Sequence, residues 1–573
     1  MDLKRRIDIA AGREPADLVL RNGRIVNVLS CEVHEGDVAI AEDRIVGVGR
    51  YEGRETVDLR GRYICPGFID AHVHIESSLL SVPEFARVVS ARGTSAVIAD
   101  PHELANVMGT EGIRFMLASS KYCPIFVYVM ASSCVPASRF ESSGAELDAL
   151  DIEPLLADRW VLGLAEMMNY PAVVAGDADC LAKLALPGNR PIDGHAPGLS
   201  GRALCAYVAS GVGSDHECTS AAEAAEKLRL GLHIMIRDGS QARNLDALLA
   251  LVRPETLDRF MFCTDDKDVE DLLAEGHIDC TIRRAVARGL NPVHAIKLAT
   301  LNPARYFGLQ HLGAIAPGRS ASLAILDDLS DCRVWRVYHG GRLVAEEGVA
   351  LDPQAPRRKP PVLRASLNVH WLEPQHFAVP APHAGECRVH VIEAQPDRID
   401  TRRCIETLHA ADGRLHADPQ RDLLKLAVVE RHQASGQIGR GFVRGFGLRG
   451  GAIASSVAHD AHNLVVAGVN DHDLFTAAVQ VVRMRGGFCV VNDGAVLADV
   501  PLPIGGLMSD LDAETLRGRL RRLHEAAWAL GCKLRRPFMA LSFLTLSVIG
   551  ELKLTAQGLV DVGRFELIDL VAE

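Results

Sequence analysis

Short apolar runs recur between residues 68 and 265, and most of them close on a polar side chain. Eight read as strands: Phe68–His74, Ser95–Asp100, Ile125–Met130, Val161–Met167, Pro191–His195, Gly211–His216, His233–Arg237 and Phe260–Asp265. Most are apolar without alternation, the pattern of parallel strands covered on both faces. Helical segments separate several of them. One carries its own punctuation, with Ser220 as N-cap, Glu223 completing a capping box and Gly231 as the stop. Eight β/α units across residues 67–313 predict a (β/α)8 TIM barrel.

The flanks are patterned differently. Residues 17–49 alternate in short strands, and Asn22-Gly23 predicts a hairpin turn. A second β-rich piece contains Ala321–Leu326 and Val334–Val344, with Gly340-Gly341 as its turn. Together they predict a small split β-sandwich, residues 1–66 and 314–357, into which the α/β barrel is inserted. The Pro- and Arg-rich stretch Pro353–Pro361 reads as a linker. Residues 358–573 read as a C-terminal mixed α+β domain whose topology the pattern does not give. Its Gly-rich stretch Gly439–Gly451 lacks the context of a dinucleotide loop and reads as turns.

Length and composition narrow the function. A chain of 573 residues is too long for one core. A net charge of −11 is a poor match to nucleic acid or an anionic membrane. There is no apolar leader and no run long enough to span a bilayer, and the 14 cysteines form no CxxC pair. The expectation is a cytoplasmic protein with buried, reduced thiols.

Barrel enzymes place their chemistry at the C-terminal ends of the strands. The first strand ends in His72 and His74, two apart and so on one face. Others end at Glu166, His195, Asp215-His216-Glu217 and Asp265-Asp266. A single histidine or glutamate at such a place is usually a solvated loop residue. Four imidazoles and two carboxylates on one rim form instead a mixed donor set for a borderline divalent metal. Six donors are enough for two ions bridged by a carboxylate.

At this point a resemblance becomes specific. Pro66-Gly67-Phe68-Ile69-Asp70-Ala71-His72-Val73-His74 resembles the signature of the amidohydrolase superfamily, whose metal ligands sit on strands 1, 4, 5, 6 and 8. The split sandwich and the segment Asn302-Pro303-Ala304 through Gly318 are also traits of that superfamily. Further blocks are similar to the adenine deaminase family. They include Ile75-Glu76-Ser77-Ser78, Asp100-Pro101-His102-Glu103, Gly163-Leu164-Ala165-Glu166-Met167-Met168, Gly194-His195-Ala196-Pro197-Gly198-Leu199, Ser214-Asp215-His216-Glu217, Cys263-Thr264-Asp265-Asp266 and Gly505-Gly506-Leu507-Met508-Ser509. The likeness covers essentially the whole chain.

The resemblance implies hydrolytic deamination of adenine to hypoxanthine and ammonia, in purine salvage, by a metal-bound hydroxide at a binuclear centre. It implies two divalent ions, Mn2+ or Fe2+ favoured and Zn2+ as an alternative, held by His72, His74, Glu166, His195, His216 and Asp265. Asp265 would also take the hydroxide proton and pass it to ammonia, with Asp266 as the alternative at that strand end. Asp100 and Glu103 are candidates for purine contact and proton transfer to N1. Their competing reading is an N-cap and first-turn pair for a helix from Leu104. Arg237 reads as the partner of an acidic neighbour in preference to a group that orients the substrate. His459-Asp460-Ala461-His462-Asn463 reads as a surface polar turn in preference to a pocket wall or a site for a further ion.

Two departures narrow the choice further. Hydantoinase- and urease-type relatives carry a carboxylated lysine where Glu166 stands. Mononuclear deaminases carry a proton-shuttling glutamate where Gly198 stands. The expected partner is a purine base, with a homodimer or higher homo-oligomer and no nucleic acid or membrane. The rival readings are a deacetylase or cyclic amidase of the same fold, and a non-catalytic scaffold relative.

Overall fold

The computed structural model describes residues 2–572 apart from 241, 352–365, 397 and 399. The linker read at Pro353–Pro361 lies outside the described residues. All eight predicted strands are present: β1 (Phe68–Val73), β2 (Thr94–Ala99), β3 (Phe126–Ala131), β4 (Val161–Met167), β5 (Ile192–Gly194), β6 (Ser214–Asp215), β7 (His233–Arg237) and β8 (Phe260–Cys263). They pair in parallel as a five-stranded sheet, β5-β4-β3-β2-β1, and a three-stranded sheet, β6-β7-β8. A parallel bridge from Val73 to Asp265 joins β1 to the residues after β8. Every residue of β2 is buried, which is why the run Thr94-Ser95-Ala96-Val97-Ile98-Ala99 shows no alternation.

The two flanking pieces form one nine-stranded sheet, in which Tyr63–Pro66 pairs antiparallel with Leu323–Leu326. Gly340 and Gly341, both at positive φ, form the predicted hairpin turn. Asn22-Gly23 does not. These residues lie inside the strand Ala16–Asn27, where the register shifts between Leu20 and Gly23. Asn22 takes the left-handed conformation, and a Cβ on Gly23 would stand 2.6 Å from Ile64 Cδ1. The signal is that of a bulge packed against a neighbouring strand. The helix Ala221–Arg229 begins at Ser220 as predicted, and Gly231 (φ 95°) follows its end. Its capping box is half formed, because Glu223 accepts from Thr219 N instead of Ser220 N.

The C-terminal region is built on a ten-stranded sheet. Gly439 and Gly441 lie in one of its strands, Ile438–Arg444, so only the later part of that glycine-rich stretch is turn. One hydrophobic cluster runs without a break from the barrel into this region: Leu80, Phe85, Leu104 and Val269 pack with Leu507, Met508, Leu516 and Phe538. Each such side chain contributes on the order of 1.5–3 kcal/mol when fully buried. A shared core of this size fixes the C-terminal region against the segments that follow β1, β2 and β8. Among the described residues no helix is long and apolar enough to cross a membrane.

Candidate metal centre and its enclosing wall

Alternation along β1 turns His72 and His74 to the same side, and the strand next to it positions their partner. Asp265 N donates to His72 O at 2.9 Å, and His74 N donates to Asp265 O at 3.2 Å. Between those two bonds the Asp265 backbone turns left-handed (φ 57°), a conformation rare outside glycine and enriched at functional sites. Its carboxylate thereby faces the two imidazoles.

The six predicted donors come together. His72 Nε2 and His74 Nε2 lie 3.1 Å apart. Asp265 Oδ1 is 3.1 Å from His74 Nε2 and 3.6 Å from His72 Nε2. Glu166, from β4, divides its two oxygens. Oε1 faces His74 at 3.2 Å and His72 at 3.6 Å, while Oε2 faces His195 Nδ1 at 2.8 Å and His216 Nε2 at 3.3 Å. The carboxylate thus spans two groups of donors. His74 Nδ1 donates to Asp100 O at 2.9 Å, which leaves the Nε2 lone pair directed into the cluster. Nitrogen and carboxylate lone pairs aimed at one another in a buried space suit divalent cations.

Charge is concentrated accordingly. Burial works against an ionised Glu166, but His216, His195 and His74 outweigh it and hold the carboxyl well below its usual range. For Asp265 burial is likewise outweighed, first by Arg237 and then by His72 and His74. Arg237 pairs with both Asp265 and Glu217, as the sequence reading expected of it.

Asp100 and Glu103 part ways. The Asp100 carboxylate accepts from Ser132 Oγ at 2.8 Å and lies 3.1 Å from His102 Nδ1, so it braces the rim. It is not a helix cap: the helix His102–Ser119 has Pro101 at its N-cap. Glu103 lines the cavity, 2.9 Å from Ser77 Oγ, and burial raises its pKa. Asp266 also faces Ser77 Oγ, at 2.5 Å.

His459-Asp460-Ala461-His462-Asn463 corrects the surface-turn reading, since all five residues are buried. His459 and Asp460 line the cavity, with His459 Nδ1 3.5 Å from Glu103 Oε1. The turn thus reaches the cavity beside Glu103, so its polarity reflects a site and not solvent. The sequence reading gave no role to His102, whose Nδ1 is 3.5 Å from Glu166 Oε1, or to Glu217. Both lie within the family-like segments, beside residues that were singled out. It also missed Phe543, Leu546, Val548 and Ile549, which line the same cavity and carry no local signature.

Two family models match the chain. The amidohydrolase family covers residues 63–344, and the adenine deaminase C-terminal domain covers residues 398–566. The adenine deaminase of Desulfatibacillum aliphaticivorans is 46% identical over 567 residues, 98% of this chain and 99% of that protein. That of Geobacillus kaustophilus (strain HTA426) is 46% identical over 576 residues, 100% of this chain and 99% of that protein. That of Nitratidesulfovibrio vulgaris (strain DP4) is 47% identical over 565 residues, 98% of this chain and 97% of that protein.

Proposed function

Because the chain belongs to the adenine deaminase family of amidohydrolases, and is a hydrolase that deaminates adenine, we propose how its residues divide that reaction. We take residues 67–313 as a closed (β/α)8 barrel, set within a split sandwich of residues 1–66 and 314–357 and walled by residues 358–573. His72, His74, Glu166, His195, His216 and Asp265 would hold two divalent ions, the Glu166 carboxylate contributing to both donor groups. The observation that carries this reading is the division of the Glu166 oxygens between two donor groups. When bound, such ions supply Lewis acidity that makes water a nucleophile near neutral pH.

The remaining chemistry falls to side chains. Water oxygen adds to C6 of adenine, and Asp265 takes the proton it loses. Arg237 keeps Asp265 ionised beforehand. The same low pKa makes protonated Asp265 a strong acid toward the departing amine. Glu103, whose carboxyl burial pushes up, gives a proton to N1 as the addition proceeds. The C6–N bond then breaks, ammonia leaves with the proton from Asp265, and Glu103 recovers its proton from the C6 hydroxyl to give hypoxanthine. Asp100 positions His74 and His102 and does not touch the ring.

The test is an assay of adenine turnover on metal-analysed protein. The expected result is hypoxanthine and ammonia in equal amounts, with about two divalent ions per chain. Full activity with one ion overturns the binuclear assignment, and metal-replete protein inert toward adenine overturns the reaction.

A further inference from the structure

The parallel strands have a second set of ends, and a cleft opens there. Phe126 begins β3 and Trp160 immediately precedes β4, so both stand at the strand ends opposite the donor cluster. Glu166 lies six residues farther along from Trp160, about 20 Å away at 3.3 Å per residue. The cleft has a volume of about 620 Å³, within the range of small-molecule sites.

Its lining is aromatic. The Phe126 and Trp160 rings are half-buried, 6.3 Å apart with planes 26° apart. His339, from the sandwich strand Val334–His339, meets the Phe126 ring at 4.5 Å. Burial pushes its imidazole down to about 4, so the ring is neutral, and its Nδ1 is buried without a hydrogen-bond partner among the described residues. Tyr122 stands at the edge of the cleft, 82% exposed. It follows the helix His102–Ser119 in the left-handed conformation (φ 67°), which glycine would adopt at lower cost. A bulky residue held there is an outlier of the kind that gathers at ligand clamps.

Charge in the cleft runs against that of the chain, which is −11 overall. Among the described residues its charged lining is Arg114, Lys121 and Arg159 against Asp158 alone. Trp160 N donates to the Asp158 carboxylate at 2.9 Å, and Arg114 pairs with Glu111 at 2.8 Å. Lys121 and Arg159 form no ion pair among the described residues. The Arg159 guanidinium carbon stands 5.5 Å from the centre of the Trp160 ring. Aromatic faces, a neutral imidazole with an unused nitrogen and two cations without counter-ions fit a planar base that carries a phosphate group.

We propose that this cleft is a second ligand site, separate from the catalytic cavity, that takes a nucleotide. The base stacks on Phe126 and Trp160 with its edge toward His339, and the phosphate meets Lys121 and Arg159.

The probe is AMP, with inorganic phosphate as the control for a bare anion. Calorimetry and tryptophan fluorescence on the wild-type enzyme are expected to show saturable AMP binding, with phosphate at least about fivefold weaker, the low end of base–aromatic stacking. AMP is expected not to compete with adenine in steady-state kinetics. Lys121→Gln/Arg159→Gln changes only exposed side chains. It should weaken AMP at least about tenfold, the scale of a lost charge-assisted hydrogen bond, and leave adenine turnover unchanged. Trp160→Leu should weaken AMP at least about fivefold, and Trp160→Phe should retain it. No binding at millimolar AMP overturns the proposal. Phosphate binding as tightly as AMP also overturns it, as an adventitious ion only. Competition with adenine, with affinity unchanged in the variants, places AMP in the catalytic cavity and overturns it too.

Discussion

The donor cluster at the strand ends and the loop of residues 543–549 line one cavity but solve opposite problems. At the rim, His72, His74, Glu166, His195, His216 and Asp265 crowd their lone pairs and charges toward one another. In the same lining, the 543–549 loop ties down its Thr545 and Ser547 hydroxyls and presents carbon. The rim is arranged for a guest that carries charge, and the wall for one defined by its shape. Substitutions at the rim should therefore change metal content and rate, while substitutions behind the wall should change stability.

The largest expected effect is at Glu166. Glu166→Gln removes the negative charge between the two donor groups, and an amide cannot offer two equivalent anionic oxygens. The expected outcome is loss of at least one ion and of turnover by at least about 10²-fold, on the scale of removing a group that tunes a metal. Metal analysis and adenine turnover on folded protein check it. Two bound ions with near-normal turnover would remove Glu166 from the bridging position.

Next is Asp265. Asp265→Asn should lower kcat by roughly 10²–10⁴-fold, the usual contribution of a general acid–base group, because proton transfer occurs only on the way to the transition state. Adenine binding should change much less. Asp266→Asn should be the milder variant, since that side chain, although close to His74 and Asp265, accepts a hydrogen bond from Ser77 Oγ. The reverse ranking in steady-state kinetics would move the proton-handling role to Asp266.

Glu103 follows. Glu103→Gln keeps the shape and an acceptor for Ser77 but has no carboxyl proton to give. A fall in kcat of about 10²-fold is expected. Asp100→Asn should be smaller, acting through the orientation of His102. If the two variants fall equally, Glu103 is a brace like Asp100.

The same contrast explains what could be read in the sequence. The rim was legible because a parallel strand converts order along the chain into position in space: a polar residue after a buried run arrives at the mouth. Every one of the eight strands was found, with bounds shifted by a few residues at most. Asn22-Gly23 misled because the same dipeptide serves a turn or a bulge, and only the Ile64 side chain beside it decides. His459 and Phe543 were illegible for another reason. Their place in the site depends on how a ten-stranded sheet packs against the barrel, and no spacing within 452–463 or 537–549 records that docking. A polar turn has the same sequence in water and in a pocket. Only the shared apolar core, through residues such as Leu507 and Leu516, reveals which it is.

The smallest expected effect is on stability, and it lies behind the wall. Lys553 is fully buried, and desolvation pushes its ammonium down to about 7. Its Nζ holds the Phe543 carbonyl at 2.6 Å, so it supports the loop without facing the cavity. An unfolded lysine titrates near 10.4. Between about 7 and that value the unfolded chain holds the extra proton, so this residue makes the protein more stable as pH rises through the interval. Below pH 7 both states are protonated and the full penalty of burial remains. Each unit of separation is worth about 1.4 kcal/mol, which makes the slope measurable. Lys553→Met keeps the length of the side chain, removes the titration, and gives up the hydrogen bond to the Phe543 carbonyl, worth about 1 kcal/mol. The expected outcome is a denaturation midpoint that depends less on pH between 7 and 9.5 than that of the wild type. At pH 7 the variant should be no less stable, since it sheds the cost of a buried ammonium. Adenine turnover should stay within about threefold, because Phe543 is still held by its stacking on His459. Parallel pH profiles for the two proteins would mean that Lys553 stays charged in the fold. A large loss of turnover at unchanged stability would mean that the wall is held by this one bond and that its other fastenings are weak.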